Sequence, residues 1–248
     1  MRCFGLIGFP LSHSFSKKYF AEKFEREGIT DCRYDIYPIE HIGLLRPLMS
    51  DNPDLSGLNV TIPYKEQVMV LLDEIDPEAA KIGAVNTIRI SRHDGNPRLK
   101  GFNTDVYGFR KSITPFIQKR PYKAFILGTG GSSKAVAFVL NNMGMNVKFV
   151  SRTPRLKTHI SYEDLPKLIS QPAVIVNASP AGMYPQINNC PDIPYDQLTP
   201  DHILFDLVYN PPETLFLSKG KAMGATIING LQMLHLQAER SWEIWNEK

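Results

Sequence analysis

Cysteine is scarce: Cys3, Cys32 and Cys190 are the three in a chain of 248 residues. They form no C-x-x-C pair and have no histidine cluster beside them, which disfavours a disulfide framework and a structural zinc site. Reduced thiols in a cytoplasmic setting are expected. Long apolar runs are also lacking. Nothing approaches the roughly 20 consecutive apolar residues of a membrane-spanning helix. The first residues, Met1 to Ser12, carry one Arg and are broken by Gly5, Gly8 and Pro10, unlike a signal peptide. A charge excess of one sign is missing too. Lys+Arg 28 against Asp+Glu 25 leaves +3, with no basic stripe of the kind nucleic-acid binding needs. The pI of about 8.6 suits an anionic small molecule. The expected partners are therefore a small molecule, with no nucleic acid and no membrane.

What is present is ordinary globular material, 43% hydrophobic and 21% charged, which excludes disorder, collagen and coiled coil. The length allows one large or two modest domains at roughly 100–200 residues each. Cys3–Gly8 reads as a buried strand. Ser14–Glu27 reads as a helix, with Phe15, Tyr19, Phe20 and Phe24 at helical spacing and Gly28 as its stop. Cys32–Tyr37 alternates like a strand, and Ile42, Leu45, Leu48 and Met49 mark a helix. Leu58–Ile62 is a strand, and Pro63 opens a helix carrying Val68 and Leu72. Ala84–Ile90 is a strand, Asp94-Gly95 a hairpin turn, and Arg98–Lys100 the return.

A second pattern begins near Asp105. Ala124–Leu127, Asn146–Val150, Ala173–Val176, Ile203–Leu207 and Ala225–Ile228 read as strands, and Ser132–Asn142 as a helix. Leu231–Trp245 is a helix with Leu231, Leu234, Ala238, Trp242 and Trp245 on one stripe. Strands alternating with helices predict parallel pairing. The fold class is α/β in two lobes, crossing near residues 100–106, with a cleft between them where a ligand would sit.

Six stretches carry candidate chemistry. Gly128-Thr129-Gly130-Gly131-Ser132-Ser133 follows a strand and opens a helix, with Gly128 for the tight turn and Gly130 for close approach of a diphosphate. The third fingerprint glycine is Ser133. The alternative is a tight turn with no ligand. The next strand ends Val150-Ser151-Arg152-Thr153, without the acid that an NAD ribose site uses. Arg152 can pair with a 2′-phosphate through its planar fork, and Arg155 and Lys157 add charge. This favours NADP over NAD; a solvated basic loop is the alternative.

Lys65 falls in the first turn of a helix, where the dipole disfavours a cation, and an ordinary surface lysine is the competing reading. Asn86 is an amide inside an apolar strand, so it needs partners, either a ligand or a neighbouring loop. Thr104 or Asp105 caps the following helix, or Asp105 pairs with Lys65. Ser12, His13, Ser14 and Ser16 lie at a helix start, which suits a carboxylate or a simple cap.

Taken together, these segments resemble the shikimate dehydrogenase family over essentially the whole chain, in order. The resemblance rests on Gly8-Phe9-Pro10-Leu11-Ser12-His13-Ser14-Phe15-Ser16, Asn59-Val60-Thr61-Ile62-Pro63-Tyr64-Lys65-Glu66, Gly83-Ala84-Val85-Asn86-Thr87 and Gly101-Phe102-Asn103-Thr104-Asp105. It continues through Gly128-Thr129-Gly130-Gly131, Asn177-Ala178-Ser179-Pro180-Ala181-Gly182-Met183, Asp206-Leu207-Val208-Tyr209 and Gly230-Leu231-Gln232-Met233-Leu234 with Gln237.

The resemblance implies NADPH-dependent reduction of 3-dehydroshikimate to shikimate in aromatic amino-acid biosynthesis. It implies a substrate-binding and catalytic domain over 1–103 plus 230–248 and a Rossmann-type doubly wound NADP-binding domain over 104–229. Lys65 would act as general acid and base with Asp105. Ser14 and Ser16 would hold the substrate carboxylate. Thr61, Asn86 and Gln237 would contact the ring hydroxyls, and Tyr209 would line the pocket. Gly128, Thr129, Gly130, Gly131 and Ser132 would hold the diphosphate, Ser151, Arg152 and Thr153 the adenosine phosphate, and Leu207 and Gly230 the nicotinamide. No metal is implied, and the assembly would be a monomer or homodimer.

This chain departs from the family's usual residues at Lys17, Phe20 and Ala21, at Ser151, and at Ser179-Pro180. A quinate/shikimate dehydrogenase of broader specificity and a non-catalytic NADP or metabolite sensor are the alternatives.

Overall fold

The computed structural model describes residues 1–11, 15–93, 96–117, 123–154 and 156–247. It divides into two compact units, Met1–Thr104 with Ala238–Lys248, and Asp105–Gln237. The division thus runs inside the last helix.

The first unit is built on β1 (Arg2–Gly8), α1 (Phe15–Arg26), β2 (Cys32–Pro38), α2 (Leu45–Asp51), β3 (Leu55–Val60), β4 (Glu74–Ile75), α3 (Pro77–Ile82), β5 (Thr87–His93) and β6 (Asn96–Phe102). Its sheet runs β2-β1-β3-β5-β6-β4. β1 lies parallel to β2 and β3, β5 is antiparallel to both β3 and β6, and β4 is parallel to β6. β1 is central and buried on both faces, hence its unbroken apolar run. Its odd positions Cys3 and Ile7 join the aliphatic core of Leu45, Leu58, Val68, Ile88 and Leu99. Its even positions Phe4 and Leu6 join the aromatic core of Phe20, Phe24, Tyr34 and Trp245. Trp245, near the end of the last helix, lies where a Cβ on Gly57 would be, 2.4 Å from that point, and donates from Nε1 to the Ile88 carbonyl at 3.0 Å.

Several sequence expectations shift here. The helix from Pro63 is instead a turn followed by a short 3-10 helix, Gln67–Leu71. Val68 and Leu71, like Met69 and Leu72, recur every three residues, the 3-10 period. The strand expected from Ala84 starts at Thr87, because Val85 N–H is taken by the Lys65 carbonyl at 2.7 Å. The Asp94-Gly95 turn lies outside the described residues. α3 was not foreseen. Asp76 caps it, accepting from the amides of Glu78 and Ala79 at 2.9 and 3.3 Å, and Gly83 closes it at φ +73°.

The second unit holds α4 (Asp105–Ile113), β7 (Lys123–Leu127), α5 (Gly131–Asn142), β8 (Asn146–Val150), β9 (His159–Ile160), β10 (Ala173–Asn177), β11 (Ile203–Asp206), α6 (Leu215–Ala222), β12 (Thr226–Ile228) and the start of α7 (Leu231–Asn246). Its six strands, in order β12-β11-β10-β7-β8-β9, are all parallel. Counted from β7, this is the 3-2-1-4-5-6 order of the doubly wound dinucleotide-binding fold, with its switch point between β7 and β10. One face packs Phe125, Leu127, Ile175 and Leu204 with Phe216 and Leu217 of α6. From the other, Phe205 meets Phe109 of α4 edge-on at 4.9 Å. The stripe expected on α7 is displaced at its start. Leu231 is 39% exposed, and Met233, at 6%, takes its place.

Candidate active site

In the first unit the polar candidates collect at the ends of β1, β3 and β6. Ser12, His13 and Ser14 lie outside the described residues. Ser16 stands in the first turn of α1, and its hydroxyl hydrogen-bonds the Tyr34 phenol, which burial pushes well above its ordinary pKa. Phe20, at one of the departures from the family pattern, is fully buried and stacks on the Tyr34 ring at 4.5 Å.

Thr61 follows β3, with its amide donating to the Ile7 carbonyl at 2.9 Å. Its methyl stands 2.5 Å from where a Cβ on Gly8 would sit, so only glycine lets it close over the end of β1. Lys65 is half-buried in the turn before the 3-10 helix, not in the first turn of an α-helix, so the dipole penalty expected from the sequence does not apply. The neighbouring Tyr64 donates to the Ile39 carbonyl at 2.6 Å and holds this turn.

Asn86 is 2% exposed and lies just before β5. Its Oδ1 accepts from the Thr104 amide at 2.7 Å and from the hydroxyls of Thr104 and Thr87 at 3.2 Å each. Its Nδ2 donates to Thr104 Oγ1 at 3.1 Å. The partner of this amide is thus in part the Gly101–Asp105 segment.

In the second unit Asp105 opens α4, is 3% exposed, and accepts from Ser132 Oγ at 3.3 Å. Gly128 has φ +116°, and a Cβ there would stand 3.1 Å from the Ala178 carbonyl oxygen. Glycine is required on both counts. Gly130 is the N-cap of α5 and offers no capping side chain. A Cβ on it would meet nothing within 4 Å. Ser133, in place of the third glycine, is fully buried and turns its hydroxyl back to the Gly130 carbonyl at 2.5 Å. The bare turn Gly128-Thr129-Gly130-Gly131 and the uncapped amides of α5 fit a dinucleotide's diphosphate.

Ser151 follows β8 and its hydroxyl accepts from the Thr153 amide at 3.2 Å, leaving Arg152 exposed at the bend. Arg155 lies outside the described residues. No carboxylate follows β8 before Glu163, so the donor set here suits a 2′-phosphate. Gly230 sits 2.4 Å, by its would-be Cβ, from the Leu207 carbonyl oxygen, which brings these two candidates together. Tyr209 is half-buried, and burial pushes its phenol pKa up. Gln237 lies on α7, with its amide 3.3 Å from where a Cβ on Gly108 would be.

The sequence missed one cluster here. Asp206, fully buried, accepts from Thr214 Oγ1 at 2.6 Å, the Val208 amide at 2.9 Å and Asn177 Nδ2 at 3.0 Å. Burial outweighs these donors and pushes its pKa up to about 6. Asn177 Oδ1 in turn accepts from the Ser179 amide and hydroxyl at 3.1 and 2.6 Å. The cluster secures the turns after β10 and β11. A polar residue closing each apolar strand was the signal that could have found it. Among the described residues there is no group of three or more His, Cys, Asp or Glu placed to hold a metal ion, and no helix is long and apolar enough to cross a membrane.

Comparison with known proteins adds four observations. Residues 6–88 match the family model for the shikimate dehydrogenase substrate binding domain. The shikimate dehydrogenase (NADP(+)) of Desulforamulus reducens is 33% identical over 263 residues, covering 97% of this chain and 88% of that one. Among solved structures, shikimate dehydrogenase 1 of Peptoclostridium difficile superposes with a TM-score of 0.84 at 38% identity, over 99% of this chain and 91% of its own. The Thermus thermophilus enzyme, solved in complex with NADP(H) and shikimate, does so at 0.83 and 31%, over 99% and 94%. On this end-to-end likeness, the chain belongs to the shikimate dehydrogenase family.

Proposed function

We infer that this chain is an NADP-dependent shikimate dehydrogenase that reversibly reduces 3-dehydroshikimate to shikimate, a step towards aromatic amino acids. The observation that carries this reading is the full-length likeness to an enzyme solved with NADP(H) and shikimate. The first unit carries most of the residues assigned to the substrate, and the second carries those assigned to the cofactor together with Asp105, Tyr209 and Gln237. NADPH, when bound, supplies the hydride that reduces the ketone.

The chain's own groups do the rest. Gly128 to Ser132 present backbone amides to the diphosphate, Ser151, Arg152 and Thr153 hold the adenosine phosphate, and Leu207 and Gly230 border the nicotinamide. Ser14 and Ser16 take the substrate carboxylate. Thr61, Asn86 and Gln237 hold the ring hydroxyls, and Tyr209 lines the pocket. Lys65, protonated, gives its proton to the ketone oxygen as that oxygen becomes a hydroxyl, and takes it back in the reverse direction. Asp105 acts with it by orienting the reacting hydroxyl. The setting is cytoplasmic, as a monomer or homodimer.

The test is NADPH oxidation, followed by near-ultraviolet absorbance, on addition of 3-dehydroshikimate. Turnover with NADPH well above that with NADH is expected, and shikimate oxidation well above quinate oxidation. Ligand binding without turnover would make the chain a sensor instead. Comparable rates on quinate would make it the broader enzyme.

A further inference from the structure

Five polar side chains occupy the interior of the first unit where apolar ones would pack at less cost. Asn59, Asn86, Thr87, Thr104 and Ser241 are each less than 9% exposed. Burying an amide or hydroxyl costs free energy unless it is hydrogen-bonded, and here each is satisfied mainly by the others. Ser241 Oγ is their meeting point. It lies 2.9 Å from Asn59 Nδ2, 2.8 Å from Thr87 Oγ1 and 3.3 Å from Thr104 Oγ1.

Two branches leave it. One passes through the Thr87 and Thr104 hydroxyls, 3.2 Å apart, to Asn86 Oδ1. The other passes through Asn59, whose Oδ1 accepts from Tyr34 at 2.8 Å, and through the Tyr34 phenol to Ser16. The path therefore ends, on both sides, at a residue read above as holding substrate.

We propose that Ser241 is a positioning residue for the substrate. Its hydroxyl locks the Thr87 and Thr104 rotors, which brace the Asn86 amide that the Thr104 N–H orients, and it holds the Asn59 amide that sets the Tyr34 and Ser16 hydroxyls. A linked polar network specifies one set of orientations because no member can turn without unpairing another. A hydrophobic residue at position 241 would serve stability alone at least as well, but would leave the Thr87 and Thr104 hydroxyls and the Asn59 amide each one partner short. The inference rests on the reading of the site as a shikimate site.

The experiment measures both Michaelis constants, kcat and Tm for Ser241→Ala and, separately, for the isosteric Thr87→Val, with Ser241→Thr as the variant that keeps the hydroxyl. Ser241→Ala and Thr87→Val are each expected to raise KM for 3-dehydroshikimate about tenfold, with KM for NADPH and kcat within about threefold of the parent. Ser241→Thr should recover most of the loss. A fall in Tm with substrate KM unchanged in both variants overturns the proposal, as does an equal rise in both Michaelis constants. Wild-type protein that neither turns over nor binds shikimate overturns the site reading beneath it, an outcome distinct from the other two.

Discussion

The two units present their functional groups by opposite means. In the first, the residues proposed to hold substrate are side chains, Ser16, Thr61, Lys65 and Asn86, and buried polar groups pair with Ser16 and Asn86. Asn86 alone engages four hydrogen bonds with Thr104 and Thr87. In the second, the candidate cofactor surface is largely backbone. Gly128 and Gly230 bring main chain where a Cβ would obstruct or strain it, Gly130 leaves open space beside the turn, and the buried carboxylate of Asp206 holds the turns after β10 and β11. Side-chain recognition distinguishes one small polyhydroxylated acid from another. A backbone cradle takes any diphosphate and leaves cofactor choice to a peripheral group. Single side-chain deletions should therefore be severe for chemistry among the substrate-side groups and selective for cofactor at the end of β8.

The severest expected case is Lys65→Ala. Loss of a positioned general acid lowers kcat by about 10²–10⁴-fold, with KM for 3-dehydroshikimate little changed. Steady-state kinetics check this, with circular dichroism confirming the fold. Near-normal kcat would remove Lys65 from the proton transfer and with it the contrast drawn here.

Arg152→Ala is the corresponding cut in the second unit. The side chain is exposed at the end of β8, so its loss leaves the fold intact. Removing a forked contact to a phosphate should reduce kcat/KM for NADPH by about 10–100-fold. The value for NADH should stay within about twofold, since the diphosphate cradle is untouched. A parallel fall with both cofactors would place Arg152 on the shared part of the nucleotide.

The same contrast explains what could be read in the sequence. β7, β10 and β11 were legible to within one or two residues at their ends, because central parallel strands are unbroken apolar runs stopped by a glycine or a polar residue, and β8 was legible despite Lys148 at its middle. The Gly128 turn was legible for the same local reason. β4 and β9, two residues each, are too short to show a period. α3 has only Ala79 and Ile82 buried, too little for a stripe, although Asp76-Pro77 and Gly83 spell both of its ends.

Lys65 and Asp105 carry little local signature. Their general acid–base role follows from the family resemblance, since an ordinary lysine and an ordinary helix cap look the same from their neighbours. Ser241 was missed outright. A serine on an amphipathic helix reads as surface, and only the convergence of Asn59, Thr87 and Thr104, far off in sequence, gives it its partners. Asp206 was noticed as a motif position without a role, because its burial comes from flanking strands that the chain supplies much earlier and later.

Asp206 also offers the mildest and most specific test, since the two hubs differ in whether they titrate. The Ser241 hub is made of amides and aliphatic hydroxyls, with a phenol whose pKa burial drives upward, so nothing in it ionises near neutrality. Asp206 has its pKa pushed up to about 6 by burial, above its ordinary value near 3.9. A raised pKa means that the folded state holds the proton more tightly than the unfolded one. Its contribution to stability is complete below the ordinary value and is lost as pH rises through about 6. The full swing is about 3 kcal/mol, of which about half is realised between pH values of about 8 and 5. Wild-type protein should therefore gain about 3–5 °C in Tm over that interval relative to Asp206→Asn, which keeps the shape and does not titrate. Ser241→Ala, measured against wild type over the same interval, should show no such pH-dependent difference. If wild type and Asp206→Asn instead keep a constant Tm gap across the range, the carboxylate is ionised throughout it, and the Thr214, Val208 and Asn177 donors at least offset burial.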